Sequence, residues 1–275
     1  MAGADPHVTE KAMMQIAQEV PNGLYIERGC GLAGELGIYL VFGFVERVED
    51  RMYNSCVLID PNGDVIARYS KVNPLNEMFI TPGHELRPFD TPFGRVGFLI
   101  CGDRGVLDNF RTLGVQGAQI IFIPMDGGYD PNNLAMLQCR AAENSCCIVI
   151  ANTHGSGIIR PDGDILHERY ESECVSVQRV ELAEIEALRP VQFGRRRPDL
   201  YGPLIEAIES PHHWDHEGRP TPHEHERRKK WAEDLRRHDR NEGGVPPAGE
   251  SDTESAATDP AARPRKNPAR PTGGR

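Results

Sequence analysis

Cys101 is the residue in this sequence best placed to do covalent chemistry. It ends the run Val96-Gly-Phe-Leu-Ile100, whose apolar residues are bounded by Gly94 and Gly102, a pattern that predicts a short buried strand. A glycine follows the thiol at once, and helical spacing follows from Asp108 to Leu113. A cysteine on a strand-to-helix turn lies where open α/β layers bind ligands. The same residue also reads as a small buried hydrophobe, the common fate of a free cysteine. Lys71 has a comparable position at the end of the predicted strand Asp64–Tyr69. Alone it reads as a solvated strand-end lysine. Beside a nucleophilic thiol it is a cation that favours the thiolate and stabilises a developing oxyanion.

The elements that must position these residues follow from periodicity. Helices are expected over Thr9–Val20, stopped by Pro21-Asn-Gly23, and over Leu24–Leu36, interrupted by Gly31 and Gly34. Ile38–Phe42 reads as a strand. Ser55–Ile59 and Asp64–Tyr69 form a hairpin around Asp60-Pro-Asn-Gly63, where glycine accepts the positive φ that the turn needs. Strands are then expected at the Cys101 segment, at Gly117–Pro124 with proline ending it, at Cys146–Asn152, at Ile165-Leu166 after the turn Arg160-Pro-Asp-Gly163, and at Val175–Val180. Leu134–Asn144 is a further helix. Helices and hairpins interleave, which predicts an α/β chain with a mixed sheet.

Composition narrows the function classes. The chain has 275 residues and a formal net charge of -10, which argues against nucleic acid as the partner. Seven irregularly spaced cysteines, two of them adjacent, do not make a disulfide framework and fit a reducing, cytoplasmic setting. No apolar run is long enough to span a bilayer, so no membrane partner is expected. From Pro211 the chain turns polar and histidine-rich (His212, His213, His216, His223, His225, His238), without the HExxH frame of a zinc hydrolase. Residues 1–210 are therefore expected to be the folded domain, 211–240 a charged extension with a solvated helix at Glu224–Arg240, and 241–275 a disordered tail.

In sequence order, Tyr53-Asn-Ser55, Pro61-Asn-Gly63, Tyr69-Ser-Lys71, Glu77, Pro82-Gly83, Gly94 with Val96-Gly97, Ile100-Cys101-Gly-Asp103, Gly117-Ala118, Pro124, Arg140-Ala141 with Glu143-Asn144, Pro161-Asp-Gly163 and Arg197-Pro-Asp-Leu-Tyr201 resemble the carbon–nitrogen hydrolase (nitrilase) superfamily. The resemblance covers roughly residues 38–205. It implies a four-layer α-β-β-α sandwich whose subunits commonly pair into homodimers or larger assemblies. It also implies hydrolysis of a non-peptide carbon–nitrogen bond through a cysteine thioester, on a small amide or N-carbamoyl substrate, with no metal and no cofactor. Cys101 then matches the nucleophile and Lys71 the catalytic lysine. Glu77 matches a glutamate that positions the lysine, and the Gly102 N–H is the second oxyanion donor.

The chain departs from this pattern in its first third. The family's general-base glutamate follows an early strand, and no apolar strand precedes Glu10, Glu19, Glu27 or Glu35. Glu46 matches a non-catalytic position. The expectation is a fold truncated at its N-terminus, lacking the first strand–helix–strand unit. Leu107-Asp108 stand where the family usually has Pro-Glu. Asp103-Arg104 resembles the N-carbamoyl-amino-acid amidohydrolases, which implies that Arg104 binds a substrate carboxylate as a bidentate fork; pairing with Asp103 or Asp108 is the alternative. Two other classes stay open. One is a non-catalytic relative that binds a ligand or partner. The other is a redox-sensing thiol protein, which requires a resolving cysteine near Cys101.

Overall fold

Thr9 opens the described chain as a helix cap, its hydroxyl accepting from the Ala12 N–H at 3.2 Å. In the computed structural model, residues 9–74, 77, 79–127, 130–153, 155–170 and 175–206 are described, with Thr221, Glu226 and Lys230 beyond them. Helix α1 covers Glu10–Ile16 and ends before the expected Val20. Gln18 breaks away because its backbone pairs with a strand, donating to Val45 O and accepting from Arg47 N, both at 2.8 Å. Helix α2 spans Leu24–Leu36, the expected span, and closes on Gly37 at φ 63°. It buries Ile26, Gly29 and Ala33, one stripe at helical spacing.

That stripe lies on an antiparallel sheet of order β1-β2-β3, with β1 at Leu40–Val48, β2 at Arg51–Ile59 and β3 at Val65–Ser70. Strand β1 starts two residues after the expected Ile38 and runs on past Phe42, joining β2 through a tight connection with Glu49 at φ 56°. The Ser55–Ile59 half of β2 is buried on both faces, which is why it reads as an unbroken apolar run. Cys56 and Leu58 face the second sheet, while Val57 and Ile59 pack with Ile26 and Ala33 of α2. In the turn at residues 60–63, Gly63 sits at φ 86° and Asp60 accepts from the N–H groups of Asn62 and Asp64.

The second sheet runs in chain order: β4 (Phe89–Thr91), β5 (Gly94–Phe98), β6 (Ile120–Met125), β7 (Cys147–Asn152), β8 (Ser156–Ile159) and β9 (Ile165–Arg169). Strands β5, β6 and β7 are parallel, joined through α3 (Leu107–Val115) and α4 (Pro131–Asn144), and the remaining pairs are antiparallel. With α5 (Leu182–Phe193), these helices cover the outer face of the sheet. Leu58 and Tyr69 of the first sheet and Phe98 of the second belong to one buried core, with Phe122 packed against it, while Ile121, level with Gly97 whose outer side meets Leu113 of α3, lies on the helix side of the second sheet. The layers are helix, sheet, sheet, helix, as expected.

Two strand expectations need correction. Pro124 lies within β6, paired with Ala151, and does not end it. Residues 175–180 form no strand; Val175 and Val177 are 91% and 85% exposed. Their alternation promised one buried face, but no described strand pairs with them. The expected tail, 241–275, and the expected extension, 211–240 apart from the three single residues, lie outside the described residues. No helix among the described residues is long and apolar enough to cross a membrane.

Candidate active site

The carboxyl ends of the three parallel strands converge on one cleft of about 560 Å³. Behind β5 comes Cys101, behind β6 Asp126, and at the end of β7 Asn152 and Thr153. Residues Val41 to Val45 of β1, with Met13 and Ile80, form the apolar opposite wall. Among the described residues, strand β1 pairs with β2 and, at one bridge, with Gln18, and none pairs with the rest of its edge beside the cleft.

Cys101 begins a 3-10 turn, Cys101–Gly105, with φ 45°. A non-glycine residue in this left-handed region carries strain, which the surrounding structure must hold in place. Asp103 does the holding. It is 0% exposed, and its carboxylate accepts from Ile100 N at 2.9 Å, Asn73 N at 2.8 Å and the Tyr69 hydroxyl at 2.7 Å. Burial pushes Asp103 up to about 6; the donated hydrogen bonds and the charge of Lys71 act in the opposite direction. Burial and the neighbouring Asp103 also push the Tyr69 hydroxyl well above its ordinary value. Tyr69 and Asp103 thus tie the end of β3 to the turn that carries Cys101. Gly102 follows in that turn, whose first internal bond is Asp103 N to Ile100 O.

Lys71 directly follows β3 and is 3% exposed. Its Nζ lies 2.8 Å from Glu77 Oε1, which also accepts from Asn54 Nδ2 at 3.0 Å. Glu77 lines the cleft with Cys101, and its Oε2 is buried with no hydrogen-bond partner among the described residues. Of the expected Cys101, Lys71 and Glu77, the first and last line the cleft together, and Lys71 is bonded to Glu77 from outside the cleft lining. Arg104 folds back on Cys101: Nη1 donates to Cys101 O at 2.8 Å and Nε to Asn133 Oδ1 at 3.2 Å.

Of the residues that sequence reasoning left unassigned, Asn54, Asp103, Asn133 and Asp126 matter here. Asn54 and Asp103 lay inside motifs already quoted, so their positions were visible but their contacts were not. Asp126 and Asn133 gave no signal, since each reaches the site from a loop or helix end. Glu10, Glu27 and Glu35 are on the surface, as is Glu19, which leaves the predicted helix and pairs with Arg47. Glu46 is buried against Ser55 and Arg68 and lines a separate cavity of about 210 Å³. Among the described cleft residues the carboxylates are Glu77 and Asp126, and no second cysteine lines the cleft. Cys56, Cys146 and Cys147 are buried, with burial raising all three thiols, that of Cys147 to about 12. No group of three or more His, Cys, Asp or Glu among the described residues is arranged to hold a metal.

The chain is similar to known amidases in sequence and in fold. The rat deaminated glutathione amidase is 32% identical over 209 residues, covering 63% of this chain; the chain spans 64% of that protein's length. The Arabidopsis thaliana N-carbamoylputrescine amidase is 28% identical over 226 residues, covering 69% of this chain and 76% of the relative. Among solved structures, a glutamate-to-glutamine variant of the amidase from Nesterenkonia sp. AN1 aligns with a TM-score of 0.55 at 23% identity, over 65% of this chain and 72% of that one. That protein carries the acetamide moiety of fluoroacetamide on its active-site cysteine. The family model described as carbon-nitrogen hydrolase matches residues 4–190, a stretch that contains both sheets and every residue of the cleft. With the two-sheet sandwich and the lysine–glutamate pair beside a strand-end cysteine, this match means that the chain belongs to the carbon-nitrogen hydrolase family.

Proposed function

We propose that this chain hydrolyses the carbon–nitrogen bond of a small amide or N-carbamoyl compound through a thioester on Cys101. The observation that carries the reading is the cleft, where Cys101 and Glu77 face the same space and Glu77 holds Lys71 within hydrogen-bonding distance. Attack of Sγ on the substrate carbonyl forms the C–S bond and moves charge to the carbonyl oxygen. Lys71 Nζ and the Gly102 N–H receive that charge. Glu77 Oε2 takes the thiol proton and gives it to the nitrogen as collapse breaks the C–N bond, so the amine leaves neutral. Water then attacks the thioester, the acid forms and the sulfur leaves. Glu77 holds Lys71 through Oε1. Its unpartnered Oε2 accepts a hydrogen bond from the substrate N–H or the attacking water.

The names of the relatives support amide and N-carbamoyl substrates. The apolar β1 wall supports a substrate with a short apolar body between its polar ends. Resident metal or cofactor chemistry has no part in these steps.

The test is an assay of the purified chain against a panel of simple amides, ω-amides and N-carbamoyl amines. Cys101→Ala is expected to abolish turnover with an unchanged melting curve. Lys71→Ala is expected to lose roughly 10²–10³ in kcat, the effect of removing one oxyanion donor. Turnover surviving in Cys101→Ala would overturn the mechanism. The absence of turnover by the parent chain on the whole panel would favour the ligand-binding reading. The cleft speaks against a redox-sensing thiol, since no second described cysteine lines it.

A further inference from the structure

Arg104 does more than follow the nucleophile in sequence. The 3-10 turn folds its side chain back so that Nη1 stands 3.6 Å from Cys101 Sγ while donating to the Cys101 carbonyl at 2.8 Å. The guanidinium is oriented from outside the turn. Its Nε donates to Asn133 Oδ1, and Asn133 is itself held by Asp130, the residue that caps α4. The N-terminal end of α4 thereby aims an arginine at the sulfur. The other cation near the site, Lys71, is matched by the Glu77 carboxylate at 2.8 Å. The two cations are held differently, which suits them to different atoms of the reaction.

We propose that Arg104 is a catalytic residue whose Nη1–H donates to the Cys101 thiolate. The proposal rests on Cys101 being the nucleophile. Arginine is ionised at any working pH, so it takes no proton from the thiol; that proton goes to a base, and the guanidinium supplies a charge-assisted hydrogen bond to the sulfur left behind. On attack, a sulfur lone pair becomes the S–C bond and the charge moves to the carbonyl oxygen. The hold of Arg104 on sulfur weakens as that of Lys71 and Gly102 on oxygen forms. In deacylation the S–C bond breaks, its electron pair returns to sulfur, and Arg104 receives the departing thiolate. Lys71 serves the oxygen and Arg104 the sulfur. Asn133 is a positioning residue, acting through Arg104.

The test uses the full chain, and its first readout needs no substrate. Cys101 is alkylated at fixed pH with neutral iodoacetamide and, separately, with anionic iodoacetate, and its modification is followed by peptide mass spectrometry, because Cys139 and Cys30 are also accessible. A guanidinium beside the thiolate draws the anionic reagent. Arg104→Gln is expected to lower the iodoacetate-to-iodoacetamide rate ratio about fivefold, the effect of one unit charge about 4 Å away in water. Arg104→Lys should keep most of the ratio. Asn133→Ala, which leaves the charge but releases its orientation, should lower it by less, and it keeps the test open if Arg104→Gln does not fold. An unchanged ratio in whichever of these two variants folds overturns the proposal. So does a defect confined to KM for carboxylate-bearing substrates, the result expected of a substrate fork. Failure of the hydrolase reading is seen separately, in amide turnover by Cys101→Ala.

Discussion

At the residue scale, the site depends on two buried ionic arrangements. The Lys71–Glu77 pair has side chains only 4% and 9% exposed. Breaking such a pair from one side leaves an uncompensated buried charge and costs about 3–5 kcal/mol, whereas removing both charges is often close to neutral. Lys71→Met and Glu77→Gln should therefore each lower the urea midpoint sharply, and the double variant should recover much of the loss. If the double variant is as unstable as the sum of the singles, the pair is not energetically coupled. Asp103 is the second arrangement. Its native value, raised from 3.8 to about 6, means that folding favours the protonated acid. Its contribution to stability is therefore full below about 3.8 and is lost as the pH rises through about 6. Between these limits the native chain holds more of this proton than the unfolded chain does. A protonated-carboxyl infrared band should appear on acidification with a midpoint near 6 and be missing in Asp103→Asn. A band still absent at pH 4.5 would show that the three donors to Asp103 outweigh its burial.

At the element scale, close approach decides which glycines matter. A Cβ on Gly83 would run into Ser70 O, and the Gly83 N–H donates to Lys71 O at 2.8 Å. The returning loop is pinned against the end of β3 that carries Lys71. Gly83→Ala must therefore move backbone on one side, and is expected to lower both the melting temperature and kcat. A Cβ on Gly31, on the exposed side of α2, meets nothing within 4 Å. Gly31→Ala should raise stability by about 0.5–1 kcal/mol and leave kcat alone. Thermal melts and turnover of the two variants check both statements; a neutral Gly83→Ala would remove the pinned loop from the argument. The same geometry explains what the sequence could show. Helix α2, strand β2 and the turns at Gly63 and Gly163 were legible because period, burial and positive φ are local properties. The end of α1 at Ile16 was not, because the bonds from Gln18 to Val45 and Arg47 are long-range. Residues 175–180 misled for the same reason, since alternation states a preference for a buried face and does not supply a partner strand. Within the site, Cys101 and Lys71 could be read from their strand ends. The hold on Cys101 by Asp103, and on Arg104 by Asn133, runs between segments and leaves no spacing to read.

At the scale of the whole molecule, the two sheets are unequal, and the smaller one bears on association. Among the described residues three strands face six, and β1 leaves an edge open beside the cleft. Outside that sheet, α2 exposes Leu24, Tyr25, Leu32 and Leu36, next to a groove of about 670 Å³ that reaches Leu40 and Phe42. Large contiguous apolar surface of this kind usually marks an interface. The charges on the helix favour a second copy as the occupant. Arg28 and Glu35 flank Leu32 along one face. Two α2 helices packed antiparallel about an axis near Leu32 would set each Arg28 opposite the other copy's Glu35, the self-complementarity that a two-fold interface requires. The chain is accordingly expected to form a homodimer or larger assembly through α2. Sedimentation velocity over a wide concentration range should show a dimer that Leu32→Glu converts to monomer. Arg28→Glu should weaken the dimer, and Arg28→Glu combined with Glu35→Arg should restore it, because exchanging the charges keeps the pairing while changing both partners. A parent chain that stays monomeric throughout would end this account of the α2 face. A dimer indifferent to all of these substitutions would place the interface elsewhere.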